Sequence, residues 1–523
     1  MKIKYLAINI LLACLYSISD TAKAQNGSNP VIYADVPDMS IVRVGNVYYM
    51  SSTTMHMSPG LPIMKSTDLV NWKLINYAYD TLASLDELNL VNGKNIYGRG
   101  SWASCLRYHN GIFYVSTFSQ TPNKTFIYST KNIEKGPWKR IAFSPSHHDH
   151  TLFFDEDGKT YMITGAGKLK IFELKDDLSD VKPGTERVLI ENASAPAGDN
   201  IMLNAEGSQL FKAFGKYYLF NIVWPRGGMR TVLIHRADKI TGPWEGRVAL
   251  QDKGVAQGGL IETPDGTWYS YLFRDNGAVG RIPYMVPVKW EDGWPVLGSN
   301  GQVPMTLDLP ASRGLIPGIV HSDEFTRKKK DPALPLVWQW NHNPDNNLWS
   351  IKERKGYLRL KTGRTDSSFL RARNSLTQRT IGPVCSGSIS LDVSGMKDGD
   401  FAGLGLLQKN YGLAGVKVIG SSRVIVMLNA STGKEEEVAH IPLDQAIVFF
   451  KAACDFTDRK DKAVFFYSLN GEDWKPLGTP LKMAYTIPQF MGYRFTLFYY
   501  ATKEIGGHAD FDFFHISDES PLL

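Results

Sequence analysis

Cysteine is scarce in this chain. Only Cys14, Cys105, Cys385 and Cys454 occur in 523 residues, widely scattered, which excludes a disulfide framework and any zinc-ligand spacing. Basic runs are equally sparse. Arg327-Lys328-Lys329-Lys330 stands alone in a chain whose net charge is only +6, so it reads as a solvated loop and nucleic acid is not an expected partner. Beyond the N-terminus no apolar run is long enough to span a bilayer. What is plentiful is glycine (47) and aromatic residues, with Tyr 24, Phe 25 and Trp 12, a balance that favours strands and turns over helices. The length suffices for two or three domains with sizeable cores.

Residues 1–24 have the form of a signal peptide. Lys2 and Lys4 precede an apolar run from Tyr5 to Leu15, and Ala22-Lys23-Ala24 offers a cleavage site. Export, most simply to the periplasm, is the expectation. The alternative is a lipoprotein anchored through Cys14 of Leu11-Leu12-Ala13-Cys14.

From Asn29 to about Pro317 one unit repeats, a strand, a tight turn and an aromatic strand. The copies are Gly45-Asn46-Val47-Tyr48-Tyr49, Asn110-Gly111-Ile112-Phe113-Tyr114, Asp157-Gly158-Lys159-Thr160-Tyr161, Phe214-Gly215-Lys216-Tyr217-Tyr218 and Asp265-Gly266-Thr267-Trp268-Tyr269. Their spacing is that of four-stranded propeller blades. Polar turns ending in Trp72, Trp138 and Trp244 follow three of the copies and would join the outer strands. Five hairpins predict a five-bladed β-propeller over residues 25–317. The Pro- and Gly-rich stretch from Leu309 to Gly318 reads as a linker, and the short alternating segments of residues 318–523 predict a β-sandwich. The fold class is therefore all-β.

A propeller gathers its inner strands around one axis, so acids distant in sequence can share a pocket. Asp35 and Asp38 flank Pro37 ahead of the first hairpin, Asp149 precedes Thr151-Leu152-Phe153-Phe154, and Glu206 opens Gly207-Ser208-Gln209-Leu210. Paired carboxyls of this kind suit general acid and base work.

These residues, taken with Pro37-Asp38-Met39-Ser40, Pro59-Gly60-Leu61-Pro62-Ile63, Thr263-Pro264-Asp265-Gly266 and Gly277-Ala278-Val279-Gly280-Arg281, resemble glycoside hydrolase family 43 in the branch with a C-terminal concanavalin-like sandwich. The resemblance implies inverting hydrolysis, with Asp38 rather than Asp35 as general base, Glu206 as general acid and Asp149 as the carboxylate that tunes and orients it. Inversion needs a carboxylate to activate water on one face of the sugar and a carboxylic acid to protonate the leaving oxygen on the other. The resemblance also implies that Arg281 binds sugar hydroxyls and that Trp102 shapes the sugar subsite. Gln257 stands where many relatives carry a His near a central cation, which argues against calcium. His147, His148 and His150 read as pocket or loop residues, because successive side chains at a strand entrance point apart. No metal and no cofactor is expected.

The implied activity is exo-acting release of terminal α-L-arabinofuranosyl residues from hemicellulose fragments such as xyloglucan or arabinoxylan. A β-D-xylosidase, or an enzyme with both activities, is the alternative, and a non-catalytic sugar-binding propeller is a reading of another class. The expected partner is an oligosaccharide or polysaccharide, and the oligomeric state is left open. The sandwich is expected to buttress the propeller, with one loop closing the pocket.

Overall fold

Residues 26–312, 318–487 and 489–519 are described here, in a computed structural model. The expected signal peptide with Cys14, and residues 313–317 of the expected linker, lie outside the described residues. Strands dominate, and among the described residues the α-helix is a single turn, Asp86–Asn89.

Each expected hairpin forms the first two strands of a four-stranded antiparallel blade. Blade 1 runs Ser40–Val44, Val47–Ser51, Gly60–Ser66 and Lys73–Tyr79; blade 2 runs Cys105–His109, Ile112–Ser119, Lys124–Thr130 and Lys139–Phe143. Blade 3 is Thr151–Phe154, Thr160–Ala166, Lys168–Glu173 and Arg187–Ile190. Blade 4 is Ile201–Ala213, Lys216–Pro225, Thr231–Ala237 and Glu245–Leu250, and blade 5 is Val255–Glu262, Trp268–Asp275, Arg281–Glu291 and Trp294–Leu297. Each Trp-marked turn joins the third and fourth strands. Trp72 is buried there and donates its indole N–H to the Leu69 carbonyl at 2.9 Å, so the aromatic body packs while its polar atom is satisfied. Truncating such a side chain to Ala costs about 3–5 kcal/mol.

The ring is closed by its own first residues. Asn26–Ser28 pairs with Thr306–Pro310, and Asn29 donates to the carbonyls of Met285 and Pro304 while accepting from the Met285 N–H. The Val31 and Val36 N–H groups bond to the carbonyls of Pro283 and Arg281. The segment that leads to Asp38 is thereby laid along blade 5, beside Arg281.

The C-terminal part packs an eight-stranded sheet on a seven-stranded one. The edge strand of the larger sheet comes from the propeller: Met57–Ser58 pairs with Gln339–Asn341. An edge that would otherwise expose unpaired backbone is thus covered, and the two domains share hydrogen bonds. Cys385 and Cys454 face each other across adjacent strands as buried free thiols.

Candidate active site

Asp35 and Asp38 are only three residues apart, yet the fold uses them differently. The Asp35 carboxylate accepts the N–H of Arg281 at 2.8 Å and that of Gly492, in the sandwich, at 3.1 Å. Its carbonyl accepts Nε of the buried Arg379 at 2.9 Å. A Cβ on Gly492 would meet the Val279 carbonyl oxygen at 2.2 Å and the Asp35 Cβ at 3.1 Å, so this approach of the two domains requires glycine. Asp35 is therefore a structural tie.

Asp38, with a left-handed backbone (φ 51°), turns inward. Both of its oxygens meet Nη1 of Arg281, at 2.8 and 3.0 Å, and both side chains are about 4% exposed. Burial pushes the Asp38 carboxyl above the ordinary carboxylate value, Arg281 opposes that, and the charge of Asp35 adds to the upward push. Arg281 in turn holds its proton more firmly than usual: burial works against the charge, and Asp38 outweighs it. The guanidinium also lies 4.9 Å from the centre of the Phe490 ring.

Asp149 also has a left-handed backbone (φ 44°). Asp tolerates this region better than most residues, and two such positions at one pocket mark a backbone bent to aim side chains. The bend breaks strand alternation, so that His148 and Asp149 both face the pocket. Nε2 of His148 lies 2.9 Å from Oε2 of Glu206 and 3.8 Å from Oδ2 of Asp149. Glu206 is carried on a strand whose register shifts on either side of it, and its carbonyl accepts Nδ2 of Asn221 at 3.3 Å. The Gly207 N–H lies near the Asp149 carboxylate and favours its charged form. Burial, above all, raises the Asp149 pKa; His148 opposes it, and the charges of Glu206 and Asp38 reinforce it.

The other two histidines turn away. Nδ1 of His147 meets Thr125 Oγ1 at 2.9 Å, and His150 bonds the His147 carbonyl and Ser116 Oγ, its pKa lowered to about 4 by burial. The atoms of His148, Asp149 and Glu206 lie within 4.8 Å of one another, close enough for an ion. In this arrangement Nε2 of His148 is engaged by Glu206 in a 2.9 Å hydrogen bond. Gln257 packs over Gly207 and, with Asp38 and Asp149, lines a central cavity of about 10 Å³, the room of about one water.

Trp102 stacks near Phe118, with ring centres 6.2 Å apart, and lies 5.1 Å from Phe490. Phe490 belongs to a sandwich loop and has a left-handed backbone (φ 53°), fixed by its N–H to the Thr486 carbonyl. Tyr485 packs beside it at 6.1 Å. The loop thus walls the side of the pocket that carries Trp102 and Arg281. Sequence reasoning identified Asp38, Asp149, Glu206, Arg281 and Trp102 individually. It assigned no role to His148 and did not single out Phe490; only the crowding of three histidines around Asp149 signalled the former.

Acidic side chains converging on a propeller axis beside a buried arginine and an aromatic wall are the arrangement of a glycosidase. The chain belongs to glycoside hydrolase family 43: residues 27–295 match "Glycosyl hydrolases family 43" and residues 322–517 match "Beta xylosidase C-terminal Concanavalin A-like domain". It is 30% identical to a β-xylosidase of Formosa agariphila over 96% of this chain and 94% of that protein. It is 28% identical to a non-reducing end α-L-arabinofuranosidase of Bacteroides ovatus over 67% of this chain and 68% of that protein. Among solved structures, a "Bifunctional GH43-CE" protein of Bacteroides eggerthii is 69% identical, with a TM-score of 0.94 over 95% of this chain. This chain spans only 64% of that protein.

Proposed function

We propose that this glycosidase removes single pentose units from the non-reducing ends of hemicellulose fragments, with inversion. Asp38 is the general base, Glu206 the general acid and Asp149 the carboxylate that orients the acid. The observation that carries this reading is the convergence of carboxylates from blades 1, 3 and 4 on one pocket, walled by Phe490. Asp38, held by Arg281, accepts a proton from water as that water attacks the anomeric carbon. Glu206 gives its proton to the departing oxygen, and the reaction needs no cofactor because these two transfers complete it. Arg281 and Trp102 position the sugar, and the Phe490 wall favours a pocket that takes a chain end over an open groove.

Between the two pentoses, β-D-xylose is the better supported, since the Formosa agariphila relative matches almost end to end and is named a β-xylosidase. The Bacteroides ovatus relative supports α-L-arabinofuranose as the second reading. Initial rates on aryl β-D-xyloside and aryl α-L-arabinofuranoside, with the anomer of the released sugar followed by proton NMR, test both. The expected outcome is faster xyloside turnover with inverted product. Faster arabinoside turnover would select the second reading, and retained configuration would remove the assignment of Asp38 as base. We further propose export through residues 1–24, which N-terminal sequencing of the mature protein would test. The sandwich acts as a buttress; tight xylan binding by the intact chain carrying Phe490→Ala would point instead to a separate binding surface.

A further inference from the structure

His148 touches Glu206 and stands beside Asp149, and the hydrolysis described above gives it no part. Its ring is 41% exposed, so one edge faces the carboxylates and the other reaches solvent. The backbone holds it there. The His148 carbonyl accepts the Gly165 N–H at 3.2 Å and Thr164 Oγ1 at 2.6 Å, and the ring meets Phe118 edge to face at 5.2 Å.

We propose that His148 and Glu206 form a proton-sharing pair, in which His148 returns to Glu206 the proton that each turnover gives to the leaving group. The inference rests on the acid role proposed for Glu206 and makes His148 a positioning residue that acts through it. In hydrolysis the carboxyl O–H of Glu206 breaks as its proton passes to the glycosidic oxygen, and an O–H of water breaks as its proton passes to Asp38. Reloading breaks the Nε2–H bond of the imidazolium and forms an O–H bond on Oε2 of Glu206. The ring then regains a proton from water and Asp38 gives one up, so no net proton is consumed.

The charged groups around the ring favour this. Asp149 faces it from its own segment and Glu206 from blade 4, while Asp38 acts on Asp149 and is itself matched by Arg281. His147 and His150 bond elsewhere, and blade 2 offers only the uncharged Phe118. Burial works against charge on His148, but Asp149 and Glu206 outweigh it and raise its pKa well above the ordinary value. An isolated glutamic acid has lost its proton by neutral pH, with a pKa of about 4.3. A pair loses its last proton at a pH set by both members together.

The test is the pH profile of kcat/KM for His148→Gln, measured on whichever aryl pentoside the wild type hydrolyses. Glutamine keeps a donor toward Glu206 but cannot carry the exchangeable proton. The alkaline limb is expected to move down by about one pH unit or more, so that the loss deepens with pH and reaches about tenfold on the alkaline side. A parallel readout needs no activity: in histidine-labelled protein the His148 ring, assigned by its absence in His148→Gln, should titrate well above pH 7 and fall in Glu206→Gln. An unmoved alkaline limb, or a ring that titrates identically with and without the Glu206 carboxyl, overturns the pair. If neither pentoside is hydrolysed the proposed function fails, and the NMR titration still decides whether the pair exists.

Discussion

Two groups of buried carboxylates in this molecule show opposite electrostatics. In the sandwich, Asp510 is 2% exposed and accepts hydrogen bonds from Arg354 and Arg359 at 2.8–3.0 Å; burial raises its pKa, but the arginines win and hold it below the ordinary value. Asp323 is likewise clasped by both ends of the Arg327 guanidinium and by the Trp338 indole N–H. At the propeller axis, Asp149 is 7% exposed with one imidazole and one backbone N–H near it, and its pKa rises, chiefly through burial. A carboxylate saturated with donors is a fastener. One left short of donors, beside other acids, stays poised to exchange protons.

The largest effect that would break this contrast is loss of chemistry. Asp38→Asn and Glu206→Gln should each lower kcat/KM on a pentoside with a poor leaving group by about 10²–10⁴-fold. A Glu206→Gln enzyme with the wild-type rate would falsify its role as acid.

Next comes the ion pair that joins both behaviours. Arg281→Ala leaves Asp38 buried without its partner and should cost about 3–5 kcal/mol of stability in urea unfolding, together with activity. If stability were unchanged, Asp38 would have to be protonated in the resting protein and the paired description would be wrong. Asp510→Asn sharpens the other side. It should cost about 2–3 kcal/mol, below the usual range for a broken buried pair because both arginines keep contact with solvent, while leaving the pH profile of hydrolysis in place.

Phe490→Ala should raise KM by about tenfold with a smaller change in kcat, since it removes apolar contact from the pocket wall. An equal fall in kcat would instead make the loop part of the transition-state machinery. The smallest effect is on acid stability. His56 and His342 are buried at the domain junction with rings 4.7 Å apart, and burial lowers His56 to about 3 and His342 well below the ordinary value. The unfolded chain takes up protons on these rings from about pH 6.5 downward and the folded one does not. Stability from this source is therefore complete above about pH 6.5 and declines as pH falls toward 3. Melting temperature against pH should show that slope, and His56→Gln should flatten it.

The sequence by itself determined the all-β class, the five hairpins and their turns, because alternation with period two and tight-turn chemistry are local properties. It also carried the acids, with Asp38 and Asp149 just ahead of strands as expected. Glu206, expected to open a strand, instead lies inside Ile201–Ala213, because that strand starts five residues earlier and is broken by register shifts around it. Only the tertiary structure decided how neighbouring residues divide their work. Asp35 and Asp38 look alike in the chain, and ring closure against blade 5 made one a tie between domains and the other a partner of Arg281. Alternation predicts that His148 points away from Asp149, and with the left-handed backbone at Asp149 both side chains instead face Glu206. Phe490 reaches the pocket across more than half the chain, and Met57–Ser58 joins a sheet that begins hundreds of residues later. Such contacts arise from docking between domains, which leaves no periodic trace in the segments that meet.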